Sequence, residues 1–222
     1  MAALASTDVI EVVGLTLRVT LLGTLLATLV GVPLGALIGV RSGHARRLFR
    51  TLLYALYSLP PVIAGLLGYL LLARGGWLGR YHLLFTPNAI VLVEVMLGAP
   101  LIAGLTVAAL ADVPRNVREA VASSGAAPLR AGWTLVKEAR FGILSAIMVG
   151  FGRSLAEVAG ALLVGGNVEH ETRTLGTAIL QDVGQGDFTD ALTLGALLLA
   201  LAFVTVAILA ALQARSEVAR DD

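Results

Sequence analysis

Long apolar segments alternate with short polar ones along the whole chain. Five of the apolar segments reach the roughly 20 residues that an α-helix needs to cross a bilayer. They cover about residues 9–40, 51–73, 87–111, 141–164 and 188–212. This pattern predicts an all-α fold: a polytopic membrane helix bundle with five transmembrane helices, organised as one domain over residues 1–222.

Composition supports a membrane location. Of the 222 residues, 57% are hydrophobic and 14% are charged, against about 25% charged in an average soluble domain. Cysteine is absent, which excludes disulfides, thiolate metal sites and a cysteine nucleophile. The three histidines, His44, His82 and His170, form no ligand spacing, so we expect no metal site. We also expect no cleavable signal, because no basic flank precedes the first apolar segment.

Lysine and arginine concentrate in alternate polar segments. The segments 41–50 and 112–140 and the tail after Leu212 together hold eleven, whereas 74–86 and 165–187 hold three. Cytoplasmic loops of membrane proteins carry such an excess of basic residues. We therefore expect the N-terminus outside, the C-terminus in the cytoplasm, and a long cytoplasmic loop at 112–140.

The first apolar segment carries small residues at strict four-residue spacing. Such a ridge lets a neighbouring helix approach closely, so we expect it to pack inside the bundle. Pro33 lies within the ridge and favours a bend or a tilt of this helix. The ridge residues are Gly23, Ala27, Gly31, Gly35 and Gly39.

No catalytic motif is evident, so we expect no catalytic residue in this chain. The only lysine, Lys137, lacks the preceding glycines of an ATP-binding loop, and no G-x-S-x-G occurs. Any ATP hydrolysis would therefore take place on another polypeptide. A membrane enzyme is disfavoured by the lack of clustered acid or histidine residues, and an ion-coupled secondary transporter by the lack of an internal repeat.

The 112–142 stretch is predicted to form two short helices. Pro114 opens the first, and Gly125 with Pro128 marks the turn between them. An amphipathic helix of this kind presents a surface either to a soluble partner or to the membrane interface, and the pattern alone leaves both open.

This stretch resembles the EAA loop of ABC importer permeases, whose pattern is E-A-A, three residues, then Gly. The matching residues are Glu119, Ala120, Val121 (in place of the second Ala) and Gly125. The later Ile-x-Leu-Pro of the family is missing, since residues 135–138 read LVKE. The resemblance implies that this helix docks into a cleft on an ATPase subunit, with Arg118 and Glu119 fixing its orientation by charge.

Two further stretches are similar to molybdate- and tungstate-type permeases, and closest to the tungstate branch. They are residues 58–79 and 150–179; the fourth-span core of the family is matched by Gly152, Arg153, Glu157, Val158 and Ala159.

The resemblance implies a type I ABC importer fold in a prokaryotic cell membrane. It also implies a homodimer, two ATPase subunits that carry ATP and Mg, and an external oxyanion-binding protein. No cofactor on this chain and no nucleic acid are expected. Tungstate is the expected substrate, with molybdate or sulfate as alternatives.

The Pro60–Pro61 pair is predicted to break the second span near mid-membrane, because Pro61 disfavours helical geometry at Pro60. The free N-terminus of the half that begins at Pro61 would favour anions, and interrupted helices recur on transport paths. The alternative is a kink that packing accommodates.

Arg153 and Glu157 are expected four residues apart on one face of the fourth span. Three readings remain open: a self-contained ion pair, a clamp that holds a gate, and direct contact of Arg153 with the oxyanion. Ser154 is assigned to the same path or gate. Each reading follows from the cost of charge inside a membrane.

The segment 164–188 is expected outside, as a lip or as short helices. Arg173 is its only basic residue and is predicted to contact the binding protein, unless the segment is a plain solvated loop. Glu94 is a lone acid inside the third span, and the sequence identifies no partner for it.

Overall fold

The computed structural model describes residues 6–40 and 44–221, with side chains described within 8–40, 47–127, 130–208 and 210–211. The described chain is helical, as predicted. The helices, in chain order, are α1 Ser6–Gly39, α2 His44–Tyr57, α3 Pro61–Leu72, α4 Pro87–Ala111, α5 Arg115–Ser123, α6 Pro128–Glu138, α7 Arg140–Leu155, α8 Ala159–Gly165, α9 Leu175–Gln185 and α10 Phe188–Asp221, with a 3₁₀ turn at Gly79–Tyr81.

Three stretches of helix are long and apolar enough to cross a membrane unbroken: Asp8–Gly39, Pro87–Ala111 and Phe188–Ile208. These correspond to the first, third and fifth predicted spans. The second and fourth are each split into a bent pair of helices, so the described residues contain three candidate spans, or up to five if each pair counts as one.

The second span is broken at the two prolines, as predicted. α2 and α3 are bent by 89°, and Pro60 lies in extended backbone immediately before Pro61, the first residue of α3. Proline suits the first helical position because it has no N–H to leave unsatisfied there. The break therefore follows from local sequence.

The fourth span is also broken, which the sequence did not predict. α7 ends at Leu155 and α8 begins at Ala159, with a bend of 58° between them. No proline lies at this break, and the expectation of one helix over 141–164 was wrong here.

The small-residue ridge of α1 packs against α4, as expected. A Cβ added at Gly31 would lie 2.7 Å from the carbonyl oxygen of Ala99, and one added at Gly35 would lie 2.6 Å from Thr106 Cβ. Only a hydrogen at these positions permits such an approach of two helix backbones. Most side chains of α4 are buried, so α4 is the central helix of the bundle.

The polar stretch after α4 folds into two short helices, as predicted. Pro114 precedes α5, Pro128 opens α6, and Gly125 in the turn has a φ of 66°. The later polar segment, 164–188, contains a short helix, α9, which was one of the forms expected for it. Its first N–H, that of Leu175, donates to Thr16 Oγ1 of α1 at 2.9 Å.

Candidate functional site

The two broken spans pack against each other close to their breaks. α3 lies along α8 so closely that a Cβ on Gly65 would lie 2.8 Å from the Cα of Gly160. A Cβ on Gly160 would in turn lie 3.6 Å from the carbonyl oxygen of Pro61. The structure therefore places the proline break close to the Arg153–Glu157 region. The two are far apart in the sequence, so the sequence did not indicate this contact.

Glu157 lies in the break between α7 and α8, and its side chain caps α8. Its Oε1 accepts a hydrogen bond from the N–H of Gly160 at 2.8 Å, and the side chain is buried. A carboxylate in this position satisfies a donor that the helix itself leaves open. The prediction that Arg153 and Glu157 share one face of one helix was therefore wrong, because the helix ends between them.

Arg153 lies in the last turn of α7 and is half-buried. A cation is favourable there because a helix C-terminus carries partial negative charge. Within the described part of the chain the salt bridges are Arg115–Glu119, His170–Glu11 and Arg173–Glu169. Arg153 is in none of them, so the ion pair with Glu157, which was one of the three interpretations of the sequence, is not formed in this structure.

Glu94 reaches the same place from α4. Its side chain is only 4% exposed, and its Oε2 has no hydrogen-bond partner among the described residues. Ser154 is similarly buried, and its side chain lies beside the Glu94 carboxyl. A narrow cleft joins these groups; it is lined by Glu94, Leu97, Gly98, Gly150, Arg153, Ser154 and Glu157.

Sequence reasoning identified Glu94 as unusual but not its neighbours. Its cleft partners lie on α7 and in the break after it, about sixty residues further along the chain. A lone acid inside an apolar span was the available indication that a polar site exists there.

The cleft combines two carboxylates, one guanidinium and one hydroxyl. Burial strengthens every electrostatic interaction among them, because the local dielectric is low. Arg153 is suited to a tetrahedral oxyanion, since a guanidinium donates two parallel hydrogen bonds. The carboxylates oppose that attraction. The arrangement therefore suits transient contact with an anion.

The first helix of the 112–140 loop presents the EAA-like residues. Glu119 accepts a hydrogen bond from Arg115 Nε at 2.6 Å, with both side chains exposed. Arg118 turns back instead, and its Nε donates to the carbonyl oxygen of Val113 at 3.1 Å. Ala120 is exposed and Val121 is half-exposed. Arg118 therefore stabilises the start of α5. Its expected contact with an ATPase subunit stays a prediction.

Arg173 is less accessible than its predicted role requires. Its side chain is 15% exposed, and Nη1 lies 3.1 Å from Glu169 Oε1. The guanidinium is therefore partly covered, and contact with an external protein stays a prediction.

One histidine does lie beside acidic side chains, which the sequence spacing did not indicate. His170 Nδ1 lies 2.8 Å from Glu11 Oε2, and this hydrogen bond raises the pKa of His170 above its ordinary value. Asp8 is adjacent, and one ligand atom from each of the three residues lies within 4.8 Å of the others. These are the side chains in the described chain that are spaced to hold a metal ion; the expectation of no metal stays untested.

Comparison with known proteins places this geometry in a family. The family model described as "Binding-protein-dependent transport system inner membrane component" matches residues 31–218. A probable anion ABC transporter permease of Haloferax volcanii is 38% identical over 64% of this chain and 63% of its own length. The tungstate uptake permease TupB of Peptoclostridium acidaminophilum is 33% identical over 76% of this chain and 74% of its own.

A solved structure shares the fold. The chain superposes on a subunit of the MetNI methionine ABC transporter with a TM-score of 0.78, covering 97% of this chain and 99% of the other, at 21% identity. The all-helical fold of a type I ABC importer permease is thus the fold of this chain. The family match covers well over half of the sequence, and the chain therefore belongs to the binding-protein-dependent inner membrane components, the permease subunits of ABC importers, with relatives on the tungstate branch.

Proposed function

We propose that this chain is the membrane-spanning permease subunit of an ATP-driven importer of a tetrahedral oxyanion, with tungstate as the first candidate. The observation that carries the proposal is Arg153, which forms no salt bridge within the described part of the chain and lines a cleft beside the junction of two broken helices. A tetrahedral dianion is costly to place in hydrocarbon, so its path needs polar groups of this kind. The identity to tungstate and anion permeases supports the substrate class.

The membrane topology is proposed as five spans within a single domain, with the N-terminus outside and the C-terminus in the cytoplasm. Each bent pair then crosses the membrane once, and the basic loops face the cytoplasm. The location is a prokaryotic inner membrane, which the apolar helices and the family support.

The partners are proposed from the family. Two ATPase subunits would bind ATP and Mg and would contact the exposed side of α5, around Glu119 and Gly125. A second copy of this chain would complete the permease, and an external oxyanion-binding protein would deliver the substrate. This chain itself is proposed to carry no cofactor and to do no chemistry.

The path is proposed to pass the junction of α3 and α8. Pro61 has no N–H, and the N–H of Ile63 already donates to the carbonyl oxygen of Pro60 at 2.9 Å. The N-terminus of α3 therefore offers an anion fewer donors than a helix start usually does. The attraction for the anion accordingly rests on Arg153, and the prolines serve to keep the span broken.

Uptake by reconstituted complexes tests the proposal. The chain is expressed with an ATPase subunit and an external oxyanion-binding protein from the same organism, and uptake of tungstate, molybdate and sulfate into proteoliposomes is measured. We expect uptake that requires ATP and the binding protein, with tungstate preferred at the lowest concentrations. Uptake without the ATPase, driven by an ion gradient, would instead identify a secondary transporter.

A further inference from the structure

Glu94 is buried in the bundle, and the side chains of Ser154 and Glu157 lie against its carboxyl group. We propose that Glu94 is a positioning residue that acts as a neutral carboxylic acid: through Ser154 it holds the last turn of α7 against α4, and this fixes where Arg153 lies beside the oxyanion path. The inference rests on the proposed function, and it assigns a role to an acid for which the sequence identified no partner.

The surroundings of Glu94 favour the neutral form. Its side chain is 4% exposed, its Oε2 has no hydrogen-bond partner within the described chain, and it is in none of the salt bridges found there. A lone carboxylate is costly in such a place, and a buried acid without a cation takes up a proton instead. The neutral acid also gains an O–H, so it can donate a hydrogen bond as well as accept one.

The neighbouring side chains do not supply a cation to Glu94. Glu157 is a second acid, and its Oε1 already accepts the N–H of Gly160 at 2.8 Å; two adjacent carboxylates would repel each other. On α1, residues 19–27 contain no ionisable side chain. Arg153 lines the cleft but joins no salt bridge in the described chain. A proton on Glu94 removes the repulsion and leaves the charge of Arg153 available to an anion.

Ser154 is the link from Glu94 to Arg153. It lies in the last turn of α7, next to Arg153 in the sequence, and is 9% exposed. Adjacent residues of a helix point about 100° apart, so the direction of Ser154 also fixes that of Arg153. Because α7 ends at Leu155, no further helical turn holds these residues in place. A side-chain hydrogen bond to α4 therefore affects their orientation more than it would in the middle of a helix.

The first helix leaves the space that the carboxyl group occupies. A Cβ added at Gly23 would collide with the carboxyl group of Glu94. Glycine at this position of the small-residue ridge therefore lets a glutamate fit between α1 and α7. The acid is held from both sides, which suits a fixed hydrogen-bonding group better than a mobile charge.

Infrared difference spectroscopy of the purified permease tests the protonation state directly. A neutral carboxylic acid has a carbonyl stretching band at higher frequency than a carboxylate or an amide. We expect the wild type at neutral pH to show such a band, and Glu94→Gln to lack it. Glu171→Gln is the matched control, since Glu171 is exposed and its replacement should remove no such band. If the wild type and Glu94→Gln have the same spectrum in this region, Glu94 is charged and the inference is wrong.

Uptake into proteoliposomes, with the ATPase subunit and saturating loaded binding protein, tests the positioning role. Glu94→Leu removes the hydrogen-bonding group at similar size and should lower the maximal rate of tungstate uptake about tenfold, the scale of one coupling between contacting residues. Glu94→Gln is neutral and still reaches Ser154, so it should restore the rate toward wild type. Glu94→Asp keeps the acid on a shorter side chain and should not restore it.

Coupling to the end of α7 separates positioning from a purely structural role. Ser154→Ala should lower the rate as Glu94→Leu does, and the double variant should be no slower than either single one. In an Arg153→Gln background, Glu94→Leu should lower the rate no further, because the group that it positions is gone. Additive losses, or rescue by Glu94→Asp rather than by Glu94→Gln, contradict the inference.

The remaining outcomes are also decisive. If Glu94→Leu does not assemble, Ser154→Ala still decides, because a wild-type rate in that variant means that Glu94 does not act through Ser154. A wild-type complex that takes up no oxyanion with ATP overturns the proposed function, whereas the infrared band still reports the protonation of Glu94.

Discussion

Glu157 accepts a hydrogen bond from the N–H of Gly160 at 2.8 Å, and Arg153, four residues before Glu157, makes no ion pair with it. Glu157 therefore stabilises the start of α8 and does not neutralise Arg153. This relationship argues against the self-contained ion pair, one of the three interpretations of their spacing, and it changes what mutation of each residue should do.

Glu157→Ala should lower the free energy of unfolding by about 1 kcal/mol, because the cap on α8 is lost. Glu157→Gln keeps an acceptor oxygen and should cost less. Thermal unfolding of the purified protein measures both. The effects of Arg153→Gln and Glu157→Gln should add in the double mutant, since the two side chains do not pair. A double mutant clearly more stable than the Arg153→Gln single mutant would instead indicate that Arg153 and Glu157 form an ion pair.

Replacing Pro60 and Pro61 by alanine should impair uptake more than assembly. Alanine allows α2 and α3 to approach a continuous helix, which would disturb the junction with α8. Uptake is measured beside the amount of assembled complex in the membrane. Pro100→Ala is the matched control, because Pro100 lies inside α4 without breaking it. Unchanged uptake at unchanged expression in the double proline variant contradicts a role in the path.

Gly31→Ala should destabilise the bundle by about 1–3 kcal/mol, because the new methyl group meets the backbone oxygen of Ala99 across the α1–α4 contact. Gly14→Ala on the same helix meets nothing within 4 Å and should stabilise it by up to about 1 kcal/mol through helix propensity. Thermal unfolding of both variants in the same detergent gives the comparison. Equal effects would mean that the close approach of α1 and α4 is not stabilising.

Gly125→Ala should reduce copurification of the ATPase subunit. Gly125 has a φ of 66°, and a side chain there costs roughly 1–2 kcal/mol, which would shift the turn between α5 and α6. Gly132→Ala on α6 is the control, since its Cβ would make ordinary contacts at 3.7 Å. Glu119→Ala should also weaken the complex if the exposed side of α5 is the docking surface. Full retention of the ATPase by both variants contradicts that surface.

The link between His170 and Glu11 should weaken as pH rises. The hydrogen bond and the charge of Glu11 raise the pKa of His170 above 6.5, so the protonated form is favoured in the folded state. Its contribution to stability is complete below pH 6.5 and is lost as pH rises through the raised pKa. Asp8 and Glu169 add to the same shift. The free energy of unfolding of the wild type should therefore fall as pH rises above 6.5. In His170→Gln this fall should be absent. An identical dependence on pH in the two proteins would contradict the contribution of this hydrogen bond.

Local sequence determined much of the helix pattern. The bounds of α4 match the predicted span, and the proline pair breaks the second span. Pro114 immediately precedes α5, and Pro128 begins α6. These features depend on residues within one turn of the position concerned, namely proline's missing N–H and fixed φ. The small-residue ridge likewise indicated a close helix contact, although not its partner.

Tertiary structure alone decided how the site is assembled. No proline lies at the break after α7, so local sequence does not indicate it. The packing of α3 against α8 brings Gly65 close to Gly160, which is 95 positions later in the chain. Glu94, Arg153 and Glu157 form one cleft because α4 is the buried centre against which the other helices pack. The sequence by itself determined that charge lies inside the membrane-spanning region. Which charges meet depends on helix packing, because that is set by the fit of whole surfaces rather than by spacing along one segment.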